Sequence, residues 1–216
     1  TMMTSYDPRP TPANVVTIGH ARFTLLTERM IRLEWAEDGV FEDRGTLAVV
    51  HRALPPVEWS HRITGTSLHL TTAALTLTYT DDGRPFSAEN LSVTFPLQGE
   101  PRTWVPGQPN TGNLGGTVRT LDCCEGDRQM VMGNNPDGSW GKTGTSYPID
   151  LGHGFISRDG WALVDDSATV VLDGDPTWVT PRPGGTRQDW YLLLHGHDYA
   201  GALVDAMQVF GRQPLP

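Results

Sequence analysis

The chain has two cysteines, a single lysine and no long apolar run. Cys123 and Cys124 are neighbours, and neighbours do not form an ordinary disulfide, which needs separated, facing Cβ atoms. The absence of a disulfide framework points to a reducing, cytoplasmic compartment. No nearby histidine or third cysteine turns the pair into a metal site, so no metal and no cofactor are expected. No stretch reaches the ~18–20 apolar residues of a membrane span, and no charged-then-apolar leader is present, so no membrane partner is expected. Lys142 stands against 15 arginines, a bias that fits either a GC-rich coding sequence or selection for bidentate guanidinium contacts. The net charge of −9 argues against a duplex nucleic-acid binder, which needs a basic face. The 24 glycines follow no three-residue period, which excludes a collagen-like chain.

Glycine and proline are abundant, and short alternating segments lie between them. Leu75, Leu77 and Tyr79 alternate with threonines, and Leu91, Val93 and Phe95 with Ser92 and Thr94. In the segment 30–35, Ile31, Leu33 and Trp35 alternate with Met30, Arg32 and Glu34. Each reads as a half-buried strand. Further strands are expected at 161–164, 168–172 and 189–195, the last an apolar run that suggests cover on both faces. Asp-Gly occurs five times, at Gly39, Gly83, Gly138, Gly160 and Gly174, and favours tight hairpins. The middle, 99–154, is rich in Gly, Pro, Asn and Thr, with brief strand-like pieces at 118–121 and 129–132. It reads either as functional loops or as irregular strands and turns.

A single helix is expected, over 199–210. Asp198 is its N-cap, Gly211 follows it, and Pro214 and Pro216 prevent continuation. Tyr199, Leu203, Met207 and Phe210 share one face at helical spacing. The class is therefore mainly β, a sandwich or closed barrel with one C-terminal helix. Residues 1–14 read as a flexible N-terminal segment, 15–197 as the β domain, and 198–216 as the helix with a Pro-rich link.

Catalytic motifs are missing. There is no Gly-x-Ser-x-Gly elbow and no His-Glu-x-x-His zinc motif. Gly112–Thr117 lacks the Lys-Ser/Thr end of a P-loop, and no helix follows it. His195 and His197 would share one side of an extended strand, but no third metal ligand is indicated. Asp165 and Asp166 point to opposite faces of a strand, and so do not make the facing carboxylate pair of a glycosidase.

Three segments carry a resemblance. Residues 22–43 read RFTLLTERMIRLEWAEDGVFED, 113–122 read NLGGTVRTLD and 154–167 read GFISRDGWALVDDS. With the closing helix and FGRQPLP at 210–216, they resemble the N-terminal β-sandwich domain of glycoside hydrolase family 31, the family of α-glucosidases and α-xylosidases. The likeness runs from about Val15 to Pro216 and is weak over 129–147; the Cys123-Cys124 pair departs from it. It implies a large two-sheet antiparallel sandwich of the galactose mutarotase type. It also implies a catalytic (β/α)8 barrel in the same polypeptide, beginning just after the segment 210–216 and carrying the catalytic aspartates, so that no catalytic residue maps onto this chain.

The resemblance further implies that a loop of this domain reaches the barrel pocket and shapes the site for an oligosaccharide or small glycoside. Ser157, Arg158, Asp159 and Trp161 are the candidates: charged hydrogen bonds from Arg158 and Asp159, a ring platform from Trp161. The competing reading makes Asp159-Gly160 a plain turn and Trp161 core. The segment 140–147, with Trp140 and Lys142, is a rival loop. Trp104, Trp140, Tyr147 and Trp178 are expected on the face that meets the barrel. Two other functions share the superfold: a mutarotase, with Glu125 or Glu100 paired with His153, and a carbohydrate-binding module.

Overall fold

The computed structural model describes residues 7–116, 124–125, 128–173 and 178–211. After a 3-10 turn at Pro12–Asn14 come β1 (Val15–Ile18), β2 (Ala21–Thr27) and β3 (Met30–Ala36). A five-strand meander follows: β4 (Trp59–Thr64), β5 (Ser67–Thr72), β6 (Thr76–Thr80), β7 (Leu91–Leu97) and β8 (Glu100–Trp104). Then come β9 (Cys124–Glu125), β10 (Arg128–Asn134), β11 (Trp140–Pro148), β12 (Ala162–Asp165), β13 (Val171–Leu172), β14 (Val179–Thr180) and β15 (Arg187–Leu193). The helix α1 (Tyr199–Phe210) closes the chain's described part.

Two antiparallel sheets form a sandwich. One has the order β1-β2-β3-β15-β12, the other β4-β5-β6-β7-β8. Alternation aims Phe23, Leu25, Ile31, Leu33, Trp35 and Leu192 inward from the first sheet. From the second they meet Leu68, Leu70, Leu77, Tyr79, Val93 and Phe95 in one core. The threonines of β6 face outward, as their alternation with Leu77 and Tyr79 predicts.

The strand β3 departs from the half-buried expectation, because both its faces are buried. The first sheet has a second layer over its outer face. There Leu26, Met30, Tyr191 and Leu193 pack with Val49, Leu54, Ala206 and Val209. The remaining outward positions hold a buried charge cluster. In register, Glu34 lies opposite Arg22 on β2 and Asp189 on β15. The Arg22 guanidinium donates to both Glu34 oxygens at 2.6 and 3.0 Å. Arg32, fully buried, donates Nε and Nη2 to the two oxygens of Asp189, each at 2.8 Å. Arg182 Nη2 sits 2.9 Å from Oδ2 of both Asp189 and Asp166.

The cluster splits its two aspartates. Burial pushes the Asp189 carboxyl up, but the Arg32 guanidinium outweighs it and, with Arg182, holds the group down to about 2. Asp166 goes the other way: burial and the neighbouring Asp189 charge raise it. As strand alternation requires, Asp165 is exposed while Asp166 is buried.

The helix is capped as expected. The Asp198 carboxylate accepts from the Gly201 N–H, and also from Arg29 at 2.7 Å. Its buried face differs from the expected one. Ala202, Ala206 and Val209 are buried, whereas Leu203, Val204 and Met207 are 42–52% exposed. Ala206 and Val209 pack into the layer over the sheet's outer face, and the larger apolar side chains turn outward. His195 on the sheet side ties the helix down through Asp205 at 2.8 Å. No helix among the described residues is long and apolar enough to cross a membrane.

The glycine-rich middle is more regular than loops. β10 and β11 form a long hairpin turning at Asn135–Gly138, where Gly138 takes φ +82°. Trp140 and Tyr147 on it are exposed, as is Trp178. Trp104, expected with them, is instead buried against Trp161 at 6.1 Å between ring centroids, because β8 completes the second sheet and aims it inward. The expected strand at 118–121, the Cys123 side of the cysteine pair, Gly174 and the prolines at 214 and 216 lie outside the described residues. The described part of the N-terminal segment is tied down: Asn14 is buried and donates to the Pro55 carbonyl, and Asp7 accepts from the backbone of Arg52 and Ala53.

Candidate functional site

Residues 157–161 form a tight turn leading into β12, and the backbone and side chains around it are cross-braced. Ser157 Oγ donates to Asn110 Oδ1 at 2.6 Å, and Asn110 Nδ2 donates to the Trp161 carbonyl at 2.8 Å. The Ser157 hydroxyl also accepts from the Asp159 N–H. Asp159 Oδ2 accepts from the Gly112 N–H at 2.8 Å, while the Arg158 N–H donates to the Gly112 carbonyl. Gly160 adopts φ +80°, and a Cβ there would lie 2.8 Å from Leu97 Cδ1 and 3.2 Å from Gly196 Cα. Only glycine fits this close approach.

The turn forms one wall of a cleft of about 620 Å³. The tip of the β7–β8 hairpin forms the other. Gln98 and Gly99 at that tip both take positive φ, 55° and 83°, which is the pattern of a type I′ turn. Gln98 and Arg102 line the cleft from the hairpin, and Arg158, Asp159 and His197 line it from the opposite side, while the Thr103 hydroxyl turns to Thr94 at 3.1 Å on the other face of β8. Phe95, Leu97, Pro101 and Trp161 supply apolar lining. His197 Nε2 is 2.8 Å from the Arg158 carbonyl, so Nε2 carries the proton, and Nδ1 accepts from Gln98. A second depression of about 310 Å³ over 72–76 has no charged lining residue. A cavity beside the buried charge cluster is about 30 Å³, room for water only.

The four residues singled out in the sequence fall into two roles. Arg158 is exposed and Asp159 half-buried, and both face the cleft. Ser157 is buried and its hydroxyl is engaged inward, so it braces the turn. Trp161 is 5% exposed and belongs to the core, offering the cleft an edge and no open platform. Gln98 and Arg102 carry no local sequence signal of a site. The Gln-Gly pair is a weaker turn signal than Asp-Gly, and nothing in the local pattern marks Arg102.

His195 and His197 do not make a pair. Gly196 takes φ +58°, which breaks the extended run and sends His195 to Asp205 and His197 to the cleft. No group of three His, Cys, Asp or Glu side chains suited to a metal occurs among the described residues. Glu100 and His153 are both exposed and neither lines the cleft; the Glu125 side chain lies outside the described residues.

These features define a two-sheet antiparallel β-sandwich with an open polar cleft at one end. No family model and no curated protein matches the sequence. Among solved structures, the chain is similar to a GH31 dextranase from Flavobacterium johnsoniae. In the isomaltotriose complex the identity is 12%, the TM-score 0.48, and the match covers 98% of this chain and 29% of that one. In the glucose complex the identity is 13% with the same score and coverage. It is also similar to a GH31 α-xylosidase from Xanthomonas citri, at 12% identity and TM-score 0.29, covering 96% of this chain and 36% of that one. The chain thus spans about a third of the length of these proteins.

Proposed function

We propose that this chain is the non-catalytic N-terminal β-sandwich domain of a family 31 α-glycosidase acting on α-linked glycosides such as α-glucosides or α-xylosides. In this reading it supports a (β/α)8 barrel of the same polypeptide, and its cleft between the β7–β8 hairpin and the 157–161 turn faces the sugar. The observation that carries the reading is where the resembling segments fall. Residues 22–43 supply β2 and β3, 154–167 supply the turn and β12, and the closing helix packs on the sheet they share. The exposed stripe of Leu203, Val204 and Met207 on that helix supports a neighbouring body, since a helix normally buries such a stripe.

Arg158 and Asp159 are the residues offered to the substrate, held in place by Ser157 and Asn110. The test is an assay of aryl α-glucosides and α-xylosides with this chain and with the polypeptide extended through the reading frame beyond Pro216. Turnover only by the extended form is expected; equal turnover by the chain alone refutes the proposal.

A further inference from the structure

We infer that the cleft between the β7–β8 hairpin and the 157–161 turn binds a sugar carrying an oxyanion, a uronic acid first, through Arg102 and Arg158. The inference deepens the proposed reading and rests on it only in taking the cleft to face a sugar.

The arginine census motivates it. Arg22, Arg32 and Arg182 sit in the buried cluster, Arg9, Arg29, Arg44, Arg84 and Arg187 are in ion pairs, and Arg52 and Arg128 hydrogen bond to hydroxyls and carbonyls. Among the described arginines this leaves Arg62, Arg102 and Arg158 without a side-chain hydrogen bond or ion pair. Two of those three line one cleft. That convergence is notable in a chain of net charge −9, where carboxylates are plentiful.

Nearby carboxylates do not answer them. Asp159 lines the same cleft, but its Oδ2 is held by the Gly112 N–H, and it makes no ion pair with Arg158. Glu100 lies two residues before Arg102 on the same face of β8, yet makes no ion pair with it. Two guanidiniums against one engaged carboxylate leave the cleft cationic, and each guanidinium offers a planar fork that matches a carboxylate. Leu97 and Pro101 supply the accessible apolar lining, over the buried Phe95 and Trp161, and Gln98 and Gln108 offer partners for hydroxyls. The cleft's size lies within the ~300–1,000 Å³ usual for small-molecule sites.

The test is isothermal titration of the 216-residue chain at pH 7 and low salt with glucuronate, glucose 6-phosphate, glucose, acetate and inorganic phosphate. Backbone amide NMR shifts locate the site. Glucuronate is expected to shift resonances of 97–103 and 157–161 and to bind at least ~10-fold more tightly than glucose. Arg102→Gln and Arg158→Gln are each expected to weaken it by ~10-fold or more. Arg62→Gln, on β4 and outside the cleft, is expected to change nothing.

Glucose 6-phosphate binding above glucuronate keeps the oxyanion and assigns it to a phosphate ester. Glucose binding as tightly as glucuronate overturns the inference while leaving a sugar-facing cleft. Acetate or phosphate binding as tightly as the acidic sugars overturns it by removing the sugar. Loss of binding in neither arginine variant, or no binding by any oxyanion, also overturns it. The aryl-glycoside assay is independent of all these outcomes, so the two readings fail separately.

Discussion

Replacing Asp189 by asparagine is expected to cost far more stability than the same replacement at Asp166, although both carboxylates touch Arg182. Asp189 is 3% exposed and accepts the two-pronged Arg32 contact, and its carboxyl sits at about 2 against an ordinary 3.8. That displacement alone corresponds to about 2 kcal/mol at neutral pH. Removing the charge also leaves Arg32 buried with Glu34 as its remaining carboxylate, and breaking a buried pair costs ~3–5 kcal/mol. A loss near ~3 kcal/mol lowers the melting temperature of a domain this size by ~6–12 °C.

Asp166 has the opposite sign. Burial and Asp189 raise its carboxyl, and its Oδ1 lacks a partner among the described residues, so its charge is held less favourably than in water. Asp166→Asn keeps the contact to Thr46 and is expected to change stability by less than ~1 kcal/mol at pH 7. The pH dependence follows the same signs. The Asp189 contribution is complete above its unfolded value near 3.8 and is lost as pH falls towards 2, a limb that the asparagine variant lacks. Asp166 contributes the reverse, since a raised folded value favours the folded state as pH falls through it. Thermal unfolding followed by circular dichroism from pH 7 to pH 2 checks both. Equal melting temperatures for the two variants would refute the assignment of the cluster's energetics.

Other expectations concern the cleft. Gly160→Ala places a Cβ against Leu97 and the Gly196 backbone in a left-handed conformation, and is expected to destabilise the fold by ~2 kcal/mol or more in urea unfolding; a neutral result would mean the turn relaxes freely. Ser157→Ala leaves Asn110 Oδ1 and the Asp159 N–H without their hydroxyl partner inside the turn, with an expected loss of ~1–2 kcal/mol and faster amide exchange over 157–161; unchanged exchange would contradict the brace. Gln98→Gly relieves a left-handed non-glycine residue and is expected to raise the urea midpoint by a gain of up to ~1 kcal/mol without changing the slope; a lowered midpoint would contradict the turn assignment.

Strand alternation was legible wherever one face meets the core and the other meets water, as in β6 and β7. It misled at β3, because Arg32 and Glu34 look solvent-facing until the register places Arg22 and Asp189 beside them. Those partners lie on β2 and β15, and a charge such as Arg32, buried because Asp189, 157 residues away, neutralises it, leaves no local signal. The helix boundaries and the Asp198 cap were legible. Its buried face was not, since the larger side chains suggested Leu203 and Met207, whereas Ala202, Ala206 and Val209 are the buried ones. Within the cleft, the Arg158-Asp159-Gly160 turn announced itself through its turn chemistry. Arg102 and Gln98 did not, because their place in the cleft comes from a hairpin that meets the turn only in three dimensions.

The central claim is that this sandwich supports an α-glycosidase and holds no catalytic machinery of its own. The most direct measurement compares hydrolysis of 4-nitrophenyl α-glucoside and α-xyloside by residues 1–216 with hydrolysis by the polypeptide continued through the reading frame past Pro216. The account predicts background rates for the first and turnover for the second. Comparable turnover by residues 1–216 alone, or a continued polypeptide that cleaves neither substrate, would contradict it.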